Sequence, residues 1–164
     1  MPEKFYILDN AVVENTWQVI AKDFTGDLPE GNLLLPLSYL EANPELQPAD
    51  NNGVWLASDT ELESIAEKLI TFPVIAIVFP TFMDGRGFSL GRLLRSRYEF
   101  KGELRAIGNV IRDQLFFLKR CGFNSFELRE GTDLDAALAS LRDFSVTYQA
   151  AFDSDQPLFR RHPL

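Results

Sequence analysis

Histidine and cysteine are nearly absent from this 164-residue chain, with one of each, His162 and Cys121. A lone cysteine forms no internal disulfide, so nothing points to an oxidising compartment. A lone histidine argues against a histidine-based triad or a histidine-rich metal site, and no metal site is expected. No apolar run approaches the roughly 18 residues of a membrane-spanning helix. The start, Met1-Pro2-Glu3-Lys4, lacks the basic-then-apolar order of a secretory signal. There is no Gly-x-x-x-x-Gly-Lys-Ser/Thr loop for nucleoside triphosphates. Gly85-x-Gly87-x-x-x-Gly91 only approximates a dinucleotide fingerprint, and Glu103, the acidic residue that would hold the ribose, opens its strand instead of ending it. Cys121 ends a helix, where the dipole disfavours a thiolate, and reads as packing. Asp59 and Glu61 read as helix caps. The residues imply no cofactor, and the chain is expected to be a cytoplasmic single domain that engages neither membrane nor nucleic acid.

What is present is apolar and unevenly charged. Hydrophobic residues make up 46% of the chain and fourteen are Phe, enough for a packed interior. The net charge of −8 conceals a basic block. Between Asp84 and Arg129 ten Lys or Arg face five Asp or Glu, a local +5. The remainder holds six basic and nineteen acidic residues, −13. Such a block focuses an anionic ligand, or else its arginines lie on solvated helix faces. The overall acidity and the lack of a recognition motif argue against nucleic acid.

Residues 1–52 look less regular, with short strands at Phe5–Leu8 and Trp17–Ile20 and an apolar run in Asn32–Leu40. From Gly53 the pattern becomes periodic. Val54–Ala57 reads as a strand, followed by a helix capped at Ser58 or Thr60 with Leu62, Ile65, Ala66 and Leu69 on one face. Val74–Phe79 is a β-branched run typical of a strand buried on both faces. Then come a helix around Phe88–Tyr98, a strand Glu103–Ile107, a helix from Asn109 to Cys121 closed by Gly122, a strand Ser125–Leu128 and a helix Asp133–Phe144 capped by Thr132. Strand and helix alternate four times, which predicts an α/β fold with a parallel sheet. An open three-layer sheet and a partial TIM-like barrel both satisfy this periodicity. An exposed sheet edge in either would favour a homodimer. The tail from Ala150, ending Arg160-Arg161-His162, is expected to be extended.

The segment Asp84-Gly85-Arg86-Gly87-Phe88-Ser89 lies between the carboxyl end of the most buried strand and the start of a helix, where parallel sheets bind ligands. Its glycines permit close backbone approach, the helix start offers unpaired N–H groups, and Arg86 adds a forked donor. Together these suit a small oxyanion or anionic metabolite. The alternative is a tight turn in which Asp84 caps the loop and pairs with Arg86. Arg97 falls within the arc of Leu90, Leu93, Leu94 and Tyr98, so it must escape at the helix end or find a buried anion. Arg92 and Arg95 fall opposite. Gln114 lies on the apolar face of its helix, as a site contact or part of a core network. Arg105 either reaches the same crevice or pairs with Glu103, and Asn109 follows that strand's carboxyl end. If the protein is an enzyme, Asp84 or Asp113 is the candidate proton-transfer group.

The runs Asp84-Gly85-Arg86-Gly87-Phe88-Ser89, Arg92-Leu93-Leu94-Arg95, Gly102-Glu103-Leu104-Arg105-Ala106-Ile107-Gly108, Arg112-Asp113-Gln114-Leu115 and Arg120-Cys121-Gly122-Phe123 together resemble the bacterial domain of unknown function 934 family. The closest similarity spans Phe79–Leu128, with weaker similarity at Gly53–Leu56 and Phe144–Gln149. Gly91 stands where the family pattern would have Ala, and Tyr98-Glu99-Phe100 replaces a Gly-aromatic pair. The resemblance implies a probable oxidoreductase or accessory protein of sulfite reduction, with sulfite reductase as partner. It carries over no catalytic residues, and the redox label lacks a matching cofactor motif. The expected function is therefore an accessory, anion-binding role in sulfite reduction. The alternatives are an enzyme acting on a phosphorylated or sulfur-containing metabolite and a non-catalytic scaffold for sulfite reductase.

Overall fold

The computed structural model describes residues 4–80 and 85–143. Eight strands are present: β1 (Phe5–Leu8), β2 (Ala11–Glu14), β3 (Trp17–Val19), β4 (Asn32–Pro36), β5 (Asn52–Ala57), β6 (Val74–Phe79), β7 (Glu103–Gly108) and β8 (Ser125–Phe126). They form one sheet in the order β2-β1-β8-β7-β6-β5-β4-β3. Every neighbouring pair from β3 through β8 is parallel, and only the β1–β2 hairpin, joined to β8, runs antiparallel. Five helices, α1 (Leu37–Ala42), α2 (Ala66–Leu69), α3 (Arg86–Ser96), α4 (Leu115–Arg120) and α5 (Leu134–Asp143), interleave with the strands. Residues 1–52, which look irregular in sequence, supply half of the strands.

Alternation along the strands sorts side chains onto two faces. Leu35, Val54, Leu56, Ile75, Ile77, Leu104 and Ala106 face the helices and join the main core. Leu34, Val74, Ala76 and Ile107 face the other way and form a second core with Trp17, Trp55 and Val78. Parallel strands covered on both faces need apolar residues throughout, which is why β6 reads as an unbroken run.

The second face is concave. Arg105, on β7, has its guanidinium 4.0 Å from the ring of Tyr6 on β1 and 5.7 Å from that of Trp17 on β3. β1 and β3 stand second and last in the strand order. In a flat sheet six strand spacings would separate them by about 29 Å. One guanidinium touches both only because the sheet curls into a half-barrel with its helices outside. Of the two architectures the periodicity allows, the structure is the partial barrel.

Several elements differ from the sequence expectation for local reasons. The β1–β2 hairpin turns at Asp9 and Asn10, both with positive φ (48° and 65°), the geometry of a two-residue type I′ turn. Its second strand is short and exposed, so no period marks it. The helix expected after Ser58 is only α2, because the Thr60 hydroxyl donates to the Ala57 carbonyl (2.7 Å) and stabilises a turn instead of a cap. Leu62, Ala66 and Leu69 are buried even so. The helix expected from Asn109 begins as a 3-10 turn, Arg112–Gln114, before α4. The cap near α5 is Asp133, whose Oδ1 accepts the Ala136 N–H (3.1 Å), one residue after Thr132.

The buried face of α3 also corrects the helical wheel. Gly87, Leu90, Gly91, Leu94 and Arg95 are buried, whereas Leu93 is 39% exposed and Arg97 lies in solvent. The arc is turned toward the glycines because α3 presses on two phenyl rings. A Cβ at Gly91 would overlap the Phe123 ring, which is itself buried. Arg95, expected to be solvated, knits together the two loops that lead into β7 and β8. Its Nε donates to Gly122 O (2.8 Å), its Nη1 to Phe100 O and Gly102 O (2.8 Å each), and its Nη2 to Asn124 Oδ1 (3.1 Å). Burial pushes its pKa down, with Asp9 opposing. Five donors in a rigid fork suit this position, and an ammonium cannot span it.

Gly91→Ala should therefore lower unfolding stability by about 1–3 kcal/mol through overpacking, measured by urea denaturation. Arg95→Ala should cost about 3 kcal/mol by stranding buried carbonyls, and Arg95→Lys should recover little of it. The exposed neighbour Arg92→Ala should stay within about 0.5 kcal/mol of wild type in the same assay.

Candidate functional site

The carboxyl ends of β6 and β7 meet at one point of the half-barrel rim. Phe79 and Gly108 are register partners there. The Asn109 N–H donates to Phe79 O (2.7 Å), pinning the turn after β7 onto the end of β6. Gly108 has φ of 92°, and a Cβ on it would lie 2.7 Å from that same carbonyl oxygen. Only glycine fits, a constraint the sequence reading did not anticipate.

Beyond β6, Asp84 lies outside the described residues. The described chain resumes at Gly85, the N-cap of α3, and that helix carries no acidic residue in its first turn. A Cβ at Gly87 would come within 2.6 Å of the Phe79 ring, so glycine here lets the helix start lie against the strand end. Phe79 is the hub of this contact. Its ring centroid lies 5.1 Å from that of Phe88 and 5.9 Å from that of Phe123, and Phe88 continues to Phe117 at 4.9 Å. Gly85 is different: its φ is −77° and a Cβ would meet nothing within 4 Å, so neither conformation nor packing demands glycine there. Arg86 and Ser89 are exposed on the first turn, with Asn109 half-buried. Unpaired amides at a helix start carry partial positive charge, and Arg86 adds a full one.

The structure thus brings Gly85, Arg86, Gly87 and Ser89 together at the strand end to which the Asn109 turn is pinned. The other candidates have contacts or positions of their own. Gln114 turns its Oε1 to the Ile111 N–H (3.1 Å), closing the 3-10 turn on which Asp113 is exposed. Arg97 follows the far end of α3, about 18 Å from Gly85 at helical rise, and its guanidinium sits 5.5 Å from the Tyr98 ring centroid. Of its two options, it escapes into solvent.

Arg105 pairs with Glu103, one of the two outcomes the strand alternation allowed. It is fully buried on the concave face, with Nε 2.8 Å and Nη2 2.7 Å from Glu103 Oε1. The Ser125 hydroxyl donates to the same oxygen (2.6 Å). Burial pushes the Tyr6 hydroxyl above its ordinary pKa of 10.0, with the Arg105 charge opposing. Removing one partner from a buried pair leaves an uncompensated charge, so Glu103→Gln should lower stability by about 3 kcal/mol in urea denaturation. A raised tyrosine pKa contributes stability in full below pH 10 and loses it as pH rises through the folded-state value. Wild type should accordingly lose stability above about pH 10 more steeply than Tyr6→Phe, followed by denaturation at stepped pH.

No curated protein and no solved structure is similar enough to this chain to count as a match. A family model does match, over residues 53–159, a span that opens with β5 and includes the rim just described. That span covers more than half of the chain, and it places the protein in DUF934, a family of bacterial proteins of unknown function.

Proposed function

We propose that this protein binds a small oxyanion, or an anionic group of a larger molecule, at the start of α3, and that it does so as an accessory protein of assimilatory sulfite reduction. The observation that carries the binding reading is the meeting of a helix N-terminus, Arg86 and the pinned Asn109 turn at the carboxyl ends of adjacent parallel strands. Ligands of α/β sheets bind at such strand ends, and a first helical turn that holds no acidic residue favours negative charge. Arg86 would grip the anion as a fork, and the amides of the first turn would complete its shell. The link to sulfite reduction rests on the family resemblance of the Phe79–Leu128 segment alone.

The test is thermal denaturation of wild type and Arg86→Ala against sulfite, sulfate, phosphate and sulfonucleotides, with chloride at matched ionic strength. One anion should stabilise the wild type saturably, and the variant should lose most of that shift while keeping its unliganded melting temperature. Equal responses of both proteins to every anion would overturn the reading. Sulfite reductase itself would then be the next binding partner to test, against a rim that does not hold free anions.

A further inference from the structure

A second cavity opens on the same rim, beyond the carboxyl ends of β4 and β5. It has a volume of about 180 Å³, and its polar lining comes from Lys22, Ser38, Glu41, Asp59 and Thr60, with Trp55 as an aromatic wall. These residues belong to the segments that follow three neighbouring parallel strands: Lys22 after β3, Ser38 and Glu41 in α1 after β4, Asp59 and Thr60 after β5. Convergence of loops from consecutive strand ends is how half-barrels and barrels build binding sites.

The walls are held and the charges are not. Trp55 Nε1 donates to Ile20 O (2.8 Å), fixing the indole across the mouth of the concave face. The Ser38 hydroxyl donates to Lys22 O (3.3 Å), tying α1 to the segment after β3, and the Thr60 hydroxyl donates to Ala57 O (2.7 Å), closing the turn after β5. Lys22, Glu41 and Asp59, in contrast, form no ion pair and no side-chain hydrogen bond among the described residues. One ammonium and two carboxylates, all on exposed residues, therefore line a single small space with no ion pair closed among them.

We propose that this cavity binds a small amphoteric metabolite bearing one ammonium and one carboxylate, a free α-amino acid in chemical class. The ammonium is matched by Glu41 and Asp59, with the Trp55 face available for cation–π contact. The carboxylate is matched by Lys22, and the short aliphatic part lies on the indole. The volume is that of about six waters, enough to seat the ammonium, carboxylate and short aliphatic part of a small amino acid, with any longer side chain directed to solvent. The site is separate from the anion site at α3 and does not depend on it.

The experiment titrates the full-length protein with L-alanine and L-serine, and with ethylamine and propionate as half-ligands, following tryptophan fluorescence and calorimetric heat. An amino acid should bind saturably at millimolar concentrations, with each half-ligand about tenfold weaker or more. Lys22→Ala and Asp59→Asn, both exposed positions that leave the fold intact, should each weaken the amino acid by about tenfold, whereas Arg86→Ala should bind it like wild type. Absence of saturable binding by either amino acid would overturn the proposal. So would an affinity unchanged in both variants, or ethylamine or propionate binding as tightly as the amino acids.

Discussion

A guanidinium inside the sheet governs the shape of this protein. Arg105 is excluded from water altogether, and a charge in that position persists only if an opposite charge and suitable neighbours go in with it. Glu103, two residues earlier on β7, supplies the charge, because alternation puts both side chains on one face. Tyr6 and Trp17 supply the rings, and they come from strands that lie far apart in the order. Curling of the sheet and burial of this cation are therefore one requirement. Were the sheet flat, Arg105 would lose one of these rings and face water, and the second core around Leu34, Val74, Ala76 and Ile107 would open with it.

Much of this was legible in the residues, for identifiable reasons. The buried run of β6 and the repeated strand–helix order have periods that survive any tertiary context, so the α/β class followed directly. The candidate segment Asp84–Ser89 drew attention because glycine, a charge and a helix start coincide in sequence, and α3 does start there, at Arg86. What escaped were features set by partners distant in the chain. Arg95 looks like a solvated helix residue until Gly122 and Asn124, almost thirty positions away, are brought beneath it. The rotation of the α3 arc toward Gly87 and Gly91 depended on Phe79 and Phe123 needing glycine opposite them. The cavity beside Trp55 draws on residues from Lys22 to Thr60, spread over three loops with no motif in any of them. The strand β2 is four residues long and mostly exposed, too short to show a period.

The carboxyl rim concentrates exposed charged and polar side chains. Arg86 and Ser89 are exposed at the start of α3, and Lys22, Glu41 and Asp59 stand without ionic partners among the described residues around a second opening. The two regions are separated by only the β5–β6 pairing, so one face of the half-barrel presents both a cationic and a mixed-charge surface. The proposed anion site and the proposed amino-acid site lie on the same side of the fold and share no residues.

The fork of Arg95 bears on how such a family diversifies. It ties together the turns at Phe100, Gly102, Gly122 and Asn124, which enter β7 and β8 from the amino-terminal pole of the strands. Strand register is thus anchored at the pole opposite the rim. Loops leaving the other pole can lengthen, shorten or exchange charge across descendants without unseating the sheet that carries them. The register-setting contacts of Arg95 and the exposed charges of the rim thus lie at opposite poles of the strands, so a change of charge at the rim leaves the Arg95 fork untouched.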